Sequence, residues 1–172
     1  MNAARVWGVA LLVLVLAACG FQLRGAPDWP DGLDPIRIEG LAARDPLYQQ
    51  LARSLRAAGV EVLPAGTPES AELRVLALRE ERRVLSVTGA ARISEYELAR
   101  QLDAELAIPG EPERLPLGRL EVSRIYVFDA ASVLSQAERE EELRRAMDRD
   151  LVRLLQLRVQ AVLAQRREAL PR

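Results

Sequence analysis

The feature that most constrains this chain is an apolar run at its N-terminus, which ends at the single cysteine of the sequence. Arg5 is the only charged residue before Cys19, and residues 6–16 are apolar apart from Gly8. A positive start, a short apolar core and small residues before a cleavage site are typical of a secretory signal peptide. The run has about half of the roughly 20 apolar residues that a bilayer-spanning helix needs. The sequence therefore predicts an exported protein.

The four residues Leu16-Ala17-Ala18-Cys19 resemble a bacterial lipobox. In that motif the cysteine thiol takes a diacylglycerol, the chain is cut before the cysteine, and the new amine is acylated. We therefore expect Cys19 to be the lipid attachment site, with S-diacylglycerol and N-palmitoyl groups. One acyl chain holds a protein only marginally, because each buried methylene contributes about 0.8 kcal/mol, so several chains give a stable anchor. Gly20 follows in place of the Asp that retains such proteins at the inner membrane, which favours the outer membrane.

The composition argues against catalysis. The chain has no His, and all its basic residues are arginines. With Cys19 acylated, Ser-His-Asp and Cys-His sites, His/Cys metal sites and Schiff-base lysines are excluded. A hydrolase that uses two carboxylates remains formally open. The 24 basic and 25 acidic residues nearly balance, so nothing favours nucleic acid as a partner. We expect no enzymatic activity, no metal and no cofactor.

The first half of the chain after residue 18 predicts a βαβ unit behind a tether. Glycines and prolines fill residues 20–35, which is typical of an extended segment. Asp45 and Pro46 are favoured at the N-cap and first position of a helix, and Gly59 at its end. The predicted elements are a strand at 36–39, a helix from Pro46 to Ala58 that buries Leu47, Leu51 and Leu55, and a strand at 60–63.

A long strand is predicted from Glu72 to Thr88, followed by a turn at 87–90. Leu73, Val75 and Ala77 are expected on one face, to which Leu85 and Val87 return. Residues 79–83 are charged on both faces, so this part of the strand should be solvated.

Residues 92–108 fit two periods. Apolar residues fall on even positions from Tyr96 to Ile108, interrupted at Arg100, as in a strand. The same segment is rich in good helix formers, and we favour the strand. A loop at 109–116 and a strand at 120–128 follow. Ser135 and Glu138 resemble a capping box, which predicts a long final helix with an apolar stripe and the ion pairs Glu140–Arg144 and Glu141–Arg145.

The predicted order is β-α-β-β-β-β-α. We therefore expect an α+β fold in which two helices pack on one face of a small mixed β-sheet, since this buries both apolar stripes. The predicted organisation is a signal peptide at 1–18, a lipidated N-terminus and tether at 19–35, and a single α+β domain at 36–168.

The sequence resembles the LptE-type lipoproteins. The resemblance rests on the order and spacing of short motifs: Cys19-Gly20-Phe21-Gln22-Leu23-Arg24-Gly25, Leu55-Arg56 with Gly59-Val60-Glu61-Val62, Glu95-Tyr96-Glu97-Leu98, Ile108-Pro109-Gly110, and Phe128-Asp129. It implies an outer-membrane component of lipopolysaccharide transport, anchored on the periplasmic side. The resemblance further implies a non-catalytic plug in the lumen of a large LptD-type β-barrel that assists barrel assembly and binds lipopolysaccharide. Another accessory lipoprotein of a lipid transporter or barrel-insertion machine is the alternative.

Lipopolysaccharide binding would require groups that contact phosphates. A guanidinium meets a phosphate with two parallel hydrogen bonds. Arg92 lies near the tip of the predicted hairpin, with Arg82 and Arg83 on the incoming strand. We predict these three arginines as lipopolysaccharide contacts.

Overall fold

The fold consists of one five-stranded sheet and two helices. A computed structural model describes residues 29–30, 32–87, 93–128 and 133–169. The elements in chain order are β1 (Ile36–Glu39), α1 (Pro46–Ala57), β2 (Val62–Leu63), β3 (Ala71–Val87), β4 (Ile93–Ala107), β5 (Leu115–Val127) and α2 (Val133–Ala169).

The sheet is mixed, with strand order β2-β1-β3-β4-β5. The short strand β1 runs parallel to both β2 and β3, whereas β3, β4 and β5 form an antiparallel meander. Apolar residues of both helices join alternate residues of the strands in one core, and the helices contact each other. The predicted element order and the α+β class, with both helices on one face, are confirmed.

Helix α1 forms where its sequence predicts. The Asp45 side chain accepts a hydrogen bond of 2.8 Å from the backbone N–H of Leu47, and Pro46 occupies the first turn. Leu47, Leu51 and Leu55 are fully buried, so their four-residue spacing is the stripe that packs on the sheet.

Gly40 lets β1 approach β3 closely. Its φ is +85°, a conformation that favours glycine. A Cβ atom there would lie 2.0 Å from the backbone oxygen of Val75. No other residue fits this position without moving the strand.

The predicted faces of β3 are only half right. Leu73 and Val75 are buried as expected, but the register shifts between Val75 and Ala77. Such a β-bulge inserts one residue and reverses which positions face the core. As a result Ala77 pairs with Asp103, away from Leu73. The register shifts again between Val84 and Ser86, where Leu85 is 47% exposed. The prediction that residues 79–83 are solvated is confirmed.

Several predicted boundaries also change. The second strand is confined to Val62–Leu63, and β5 begins at Leu115, five residues before the predicted start. Residues 93–107 form a strand, as favoured. Helix α2 begins at Val133, so Ser135 lies inside its first turn and not at an N-cap. The predicted turn at 87–90 lies mostly outside the described residues.

The packed part of the chain begins within the segment for which a tether was predicted. Trp29 and Leu33 are 6% and 1% exposed and belong to the core. The Trp29 indole N–H donates a hydrogen bond of 3.4 Å to the Ser54 hydroxyl on α1. The chain therefore enters the fold beside α1.

Candidate functional site

The three long strands extend beyond the main core, and this extension is the candidate interaction region. We call residues 79–87, 93–101 and 121–127 the distal half of the sheet; these ranges lie side by side in the register. The rest of the sheet is the proximal half. Among the largest fully buried side chains described, Leu98 is the only one on a distal-half strand. Besides Leu98, Val122 and Tyr126, which belong to the core, the distal half makes a polar contact with α2.

A polar cluster, the Glu140 network, supplies that contact. Glu140 of α2 accepts hydrogen bonds from the Tyr126 hydroxyl, from Arg82 at 3.2 Å and from Arg144 at 2.9 Å. Arg144 also reaches Glu80 at 2.9 Å. The network therefore connects α2 to both outer strands of the meander, β3 and β5.

The protonation states of the network follow from this geometry. Burial raises the pKa of Glu140, but hydrogen bonds from Tyr126, Arg144 and Arg82 outweigh it and hold that pKa below its usual value. Burial, with the Glu140 carboxylate beside it, raises the pKa of Tyr126 to about 12. At neutral pH the tyrosine is therefore a donor and the carboxylate an acceptor.

Aromatic rings support the same network. Tyr96 stacks on Tyr126 with ring centroids 5.7 Å apart, and Phe128 meets Tyr96 edge-on at 5.4 Å. The Arg82 guanidinium lies 4.8 Å from the centroid of the Tyr96 ring, within the range of a cation–π contact. Arg82 thus lies between the Glu140 carboxylate and the Tyr96 ring.

A buried ion pair lies between the Glu140 network and the proximal core. Arg100 on β4 forms an ion pair with Asp148 on α2, with Nη1 and Oδ1 2.9 Å apart, and both residues are less than 10% exposed. Burial raises the pKa of Asp148, although the Arg100 charge opposes it. The Arg100 that interrupts the even-numbered apolar face is therefore a partner of the helix and no break in the strand.

The opposite side of the sheet, on which neither α1 nor α2 packs, carries linked charged side chains, and we call it the open face. Asp103 accepts from Arg79 at 2.7 Å and from Arg119 at 3.0 Å, linking β3, β4 and β5. Hydrogen bonds from Arg119 and Arg79 hold the pKa of Asp103 below its usual value. At the end of this face, Ile125 and Val127 are exposed.

The predicted site residues do not form one cluster. Cys19 and Arg92 lie outside the described residues. Arg82 belongs to the Glu140 network, on the side covered by α2. Arg83, the next residue along the strand, contacts Glu81 at 3.3 Å and Glu97 at 3.9 Å. Because successive strand residues point to opposite faces, Arg82 and Arg83 lie on opposite sides of the sheet.

The Glu140 network was missed at the level of the sequence. The pairs Glu140–Arg144 and Glu141–Arg145 were predicted and are present, at 2.9 and 3.3 Å. Their spacing within one helix suggested a solvated face, whereas Glu140 also reaches two strands. The available signal was the charge of Glu80 and Arg82 on alternate positions of β3, which places both on one face.

The described part of the chain contains no metal-ligand cluster. Among residues 29–30, 32–87, 93–128 and 133–169, no group of three or more His, Cys, Asp or Glu could hold a metal ion. A cavity of about 260 Å³ at the start of α2 is lined by Gln136, Glu138, Arg139 and Glu142. No helix in these ranges is long and apolar enough to cross a membrane. Fold and site together define a small α+β protein whose charged clusters hold its elements together.

The comparisons with known proteins identify the family. The family model LptE, described as lipopolysaccharide-assembly, matches residues 33–159. The chain belongs to the LptE family. An LPS-assembly lipoprotein LptE of Photorhabdus laumondii is 30% identical over 151 residues, which cover 86% of this chain and 82% of that protein. The corresponding protein of Pectobacterium atrosepticum is 28% identical with the same coverage.

Solved structures share the fold. Rare lipoprotein B from Shewanella oneidensis is similar with a TM-score of 0.65 and 21% identity, covering 79% of this chain and 98% of that one. A minor lipoprotein from Acinetobacter baumannii has a TM-score of 0.61 at 25% identity, covering 77% of this chain and 94% of that one. The architecture of this chain is therefore that of known lipoproteins.

Proposed function

We propose that this protein is an outer-membrane lipoprotein that plugs the lumen of the lipopolysaccharide-translocating β-barrel, assists its assembly and binds lipopolysaccharide. The observation that carries the proposal is the match of residues 33–159 to the lipopolysaccharide-assembly family. The role is one of binding and assembly, without a reaction. The proposed anchor is Cys19, acylated after removal of residues 1–18, with the tether starting at residue 19.

The linked charges of the open face support the plug. The lumen of an outer-membrane barrel is polar. A plug therefore needs a polar surface that the barrel wall does not repel. On the open face, Arg79 and Arg119 both contact Asp103, so none of these three charges stands alone. Such a face can be covered by a polar wall without leaving an isolated charge, which would be costly to bury.

The lengths of the elements also support the plug. At about 3.3 Å per residue, the 17 residues of β3 span roughly 55 Å. At 1.5 Å per residue, the 37 residues of α2 span about the same distance. Both exceed the ~30 Å hydrocarbon core of a bilayer. A plug of this length contacts the barrel wall through the full depth of the membrane.

Purification from native membranes tests the proposal. The tagged, full-length protein, extracted from outer membranes in mild detergent, should carry a large β-barrel protein with it, and depletion should leave that barrel misassembled. Mass spectrometry should find Cys19 as an acylated N-terminus. Recovery of a different transporter or an insertion machine, with no barrel of the lipopolysaccharide system, would favour the alternative of a general accessory lipoprotein.

Lipopolysaccharide binding needs a separate experiment, because Arg82 and Arg83 differ in their surroundings. We expect Arg92→Gln and Arg83→Gln to weaken binding of purified lipopolysaccharide, measured by fluorescence competition. Arg82→Gln breaks the Glu140 network, so its effect must be read together with a melting curve. Arg119→Gln removes an equally exposed arginine from the proximal part of the open face and should leave binding unchanged.

A further inference from the structure

Two populations among the exposed arginines differ in their partners. Those on the open face have acidic partners: Arg79 and Arg119 contact Asp103, and Arg83 contacts Glu97. The other population lies on the outer side of the two helices. We call it the helix-layer arginines: Arg53, Arg56, Arg149, Arg153 and Arg158, all exposed.

The helix-layer arginines have no acidic partners. None of the five makes an ion pair within 4.0 Å with another residue of the described ranges, whereas α2 also contains Arg144 and Arg145, which do. Helix α1 contains no Asp or Glu, and neither does α2 from residue 151 to residue 167. In a chain of net charge −1, the outer side of the helix layer therefore carries a local excess of positive charge.

Exposed leucines accompany these arginines. Leu154 and Leu157 are 36% and 55% exposed. Together with Arg158 and Ala161 they recur at spacings of three and four residues, so they share one side of α2. Arginines flanking apolar side chains on a helix surface are the combination found where helices lie on anionic lipid.

The path of the chain places this surface near the proposed lipid anchor. The first described residue, Trp29, contacts Ser54, the neighbour of Arg53 on α1. Trp29 lies ten positions after Cys19, and an extended chain spans at most about 3.6 Å per residue. An acylated Cys19 would therefore keep α1 within roughly 36 Å of the bilayer surface. This step rests on the proposed anchor.

We propose that the outer side of the helix layer docks on anionic phospholipid headgroups of the membrane in which Cys19 is anchored. The helix-layer arginines contact the phosphates, for which the guanidinium is suited, and Leu154 and Leu157 enter the headgroup boundary. The docked form is the lipoprotein that is not enclosed by a barrel. Docking then turns the open face away from the lipid.

Vesicle binding tests the surface without the anchor. The chain from residue 19 with Cys19→Ser retains every described core residue, because these begin at Trp29. It should sediment with phosphatidylcholine vesicles that contain phosphatidylglycerol, and not with phosphatidylcholine alone. Each juxtamembrane arginine is worth about fivefold in partitioning. The double variant Arg153→Gln with Arg158→Gln should therefore bind the vesicles roughly 25-fold more weakly. Added salt should weaken vesicle binding by the parent protein.

A matched variant controls for net charge. Arg79→Gln with Arg119→Gln removes the same two charges from the open face and should bind as the parent does. A tryptophan introduced as Leu157→Trp should show a blue-shifted emission on anionic vesicles. Equal losses for both double variants, or no binding of the parent, would overturn the proposal.

Two further outcomes separate lipid docking from contact with the barrel and from the proposed anchor at Cys19. If the helix-layer double variant binds vesicles normally but no longer purifies with a barrel, the surface meets protein and the lipid proposal is wrong. An unacylated Cys19 in the native protein would contradict the anchor, while binding by the unanchored chain would still support the surface.

Discussion

The proximal and distal halves of the sheet are stabilised in different ways. In the proximal half, Ile36, Ile38 and Leu73 pack against the leucines of α1 and are at most 1% exposed. In the distal half, α2 is held by Glu140, Arg100 and their partners. Apolar packing does not prescribe a direction, whereas each charged contact requires one geometry and leaves the surrounding surface polar. The distal strands can therefore be fixed to α2 while their surface stays polar.

The largest expected effect is in the proximal half. Leu73→Ala removes a side chain that is fully buried between β1 and the helices, so we expect a loss of about 4 kcal/mol in the free energy of unfolding. Val84→Ala in the distal half, where the side chain is 49% exposed, should cost under about 0.5 kcal/mol. Denaturant unfolding measures both. Equal losses would show that the two halves do not differ as described.

Next in size is the buried ion pair at the boundary of the halves. Arg100→Met leaves Asp148 buried without its partner, and we expect a loss of about 3 kcal/mol. Because burial already raises the pKa of Asp148, the carboxyl can take up a proton, so this variant should regain stability as the pH falls below neutral. The double variant Arg100→Met with Asp148→Leu should recover most of the loss. A single variant whose stability does not respond to pH would show that Asp148 is solvated.

The Glu140 network should give a smaller, pH-dependent effect. Glu140→Gln should cost about 2 kcal/mol at neutral pH, since hydrogen bonds to a charged group are lost. The pKa of Glu140 is below its ordinary value in the folded protein. The Glu140 carboxylate therefore stabilises the folded protein above about pH 4.5, and this stabilisation is lost as the pH falls through the lowered pKa.

The unfolding free energy of the parent should fall accordingly over that acid range, and that of Glu140→Gln should fall less. Tyr126→Phe is the matched control, because it removes one hydroxyl and keeps the ring packing; we expect about 1 kcal/mol. If the unfolding free energies of the parent and of Glu140→Gln depend on pH in the same way, Glu140 does not link α2 to the strands.

The smallest effect should come from the open face. Asp103→Asn removes the carboxylate shared by Arg79 and Arg119, both more than half exposed. Surface ion pairs contribute little to stability, so the melting temperature should be unchanged within error. A clear drop would show that the open face stabilises the fold, as the Glu140 network does.

The sequence was most informative where local periodicity decides the structure. The Asp45-Pro46 start and the leucine spacing predicted α1 correctly, and even-numbered apolar positions predicted β4. The bulge after Val75 was not predictable from the same pattern. It depends on how β3 meets β4, and one inserted residue reversed the positions that follow it up to Val84, where the register shifts again.

The candidate site was harder to predict because it depends on contacts between distant elements. Glu140 and Arg82 are 58 residues apart and meet only when α2 folds back along the meander. Arg100 resembled an interruption of an apolar face until Asp148 was placed opposite it. By contrast, the opposite orientation of Arg82 and Arg83 follows from strand alternation alone.

Photo-crosslinking from Ile125 in intact outer membranes tests the central claim most directly. Ile125 is 62% exposed on the open face of the distal half, so a photoreactive residue there should not disturb the fold. If the open face lies against the wall of a barrel, irradiation should yield an adduct with one large β-barrel protein, and the same probe at the buried Leu51 should yield none. A strongly incorporated probe at Ile125 that gives no adduct with such a protein would contradict the plug.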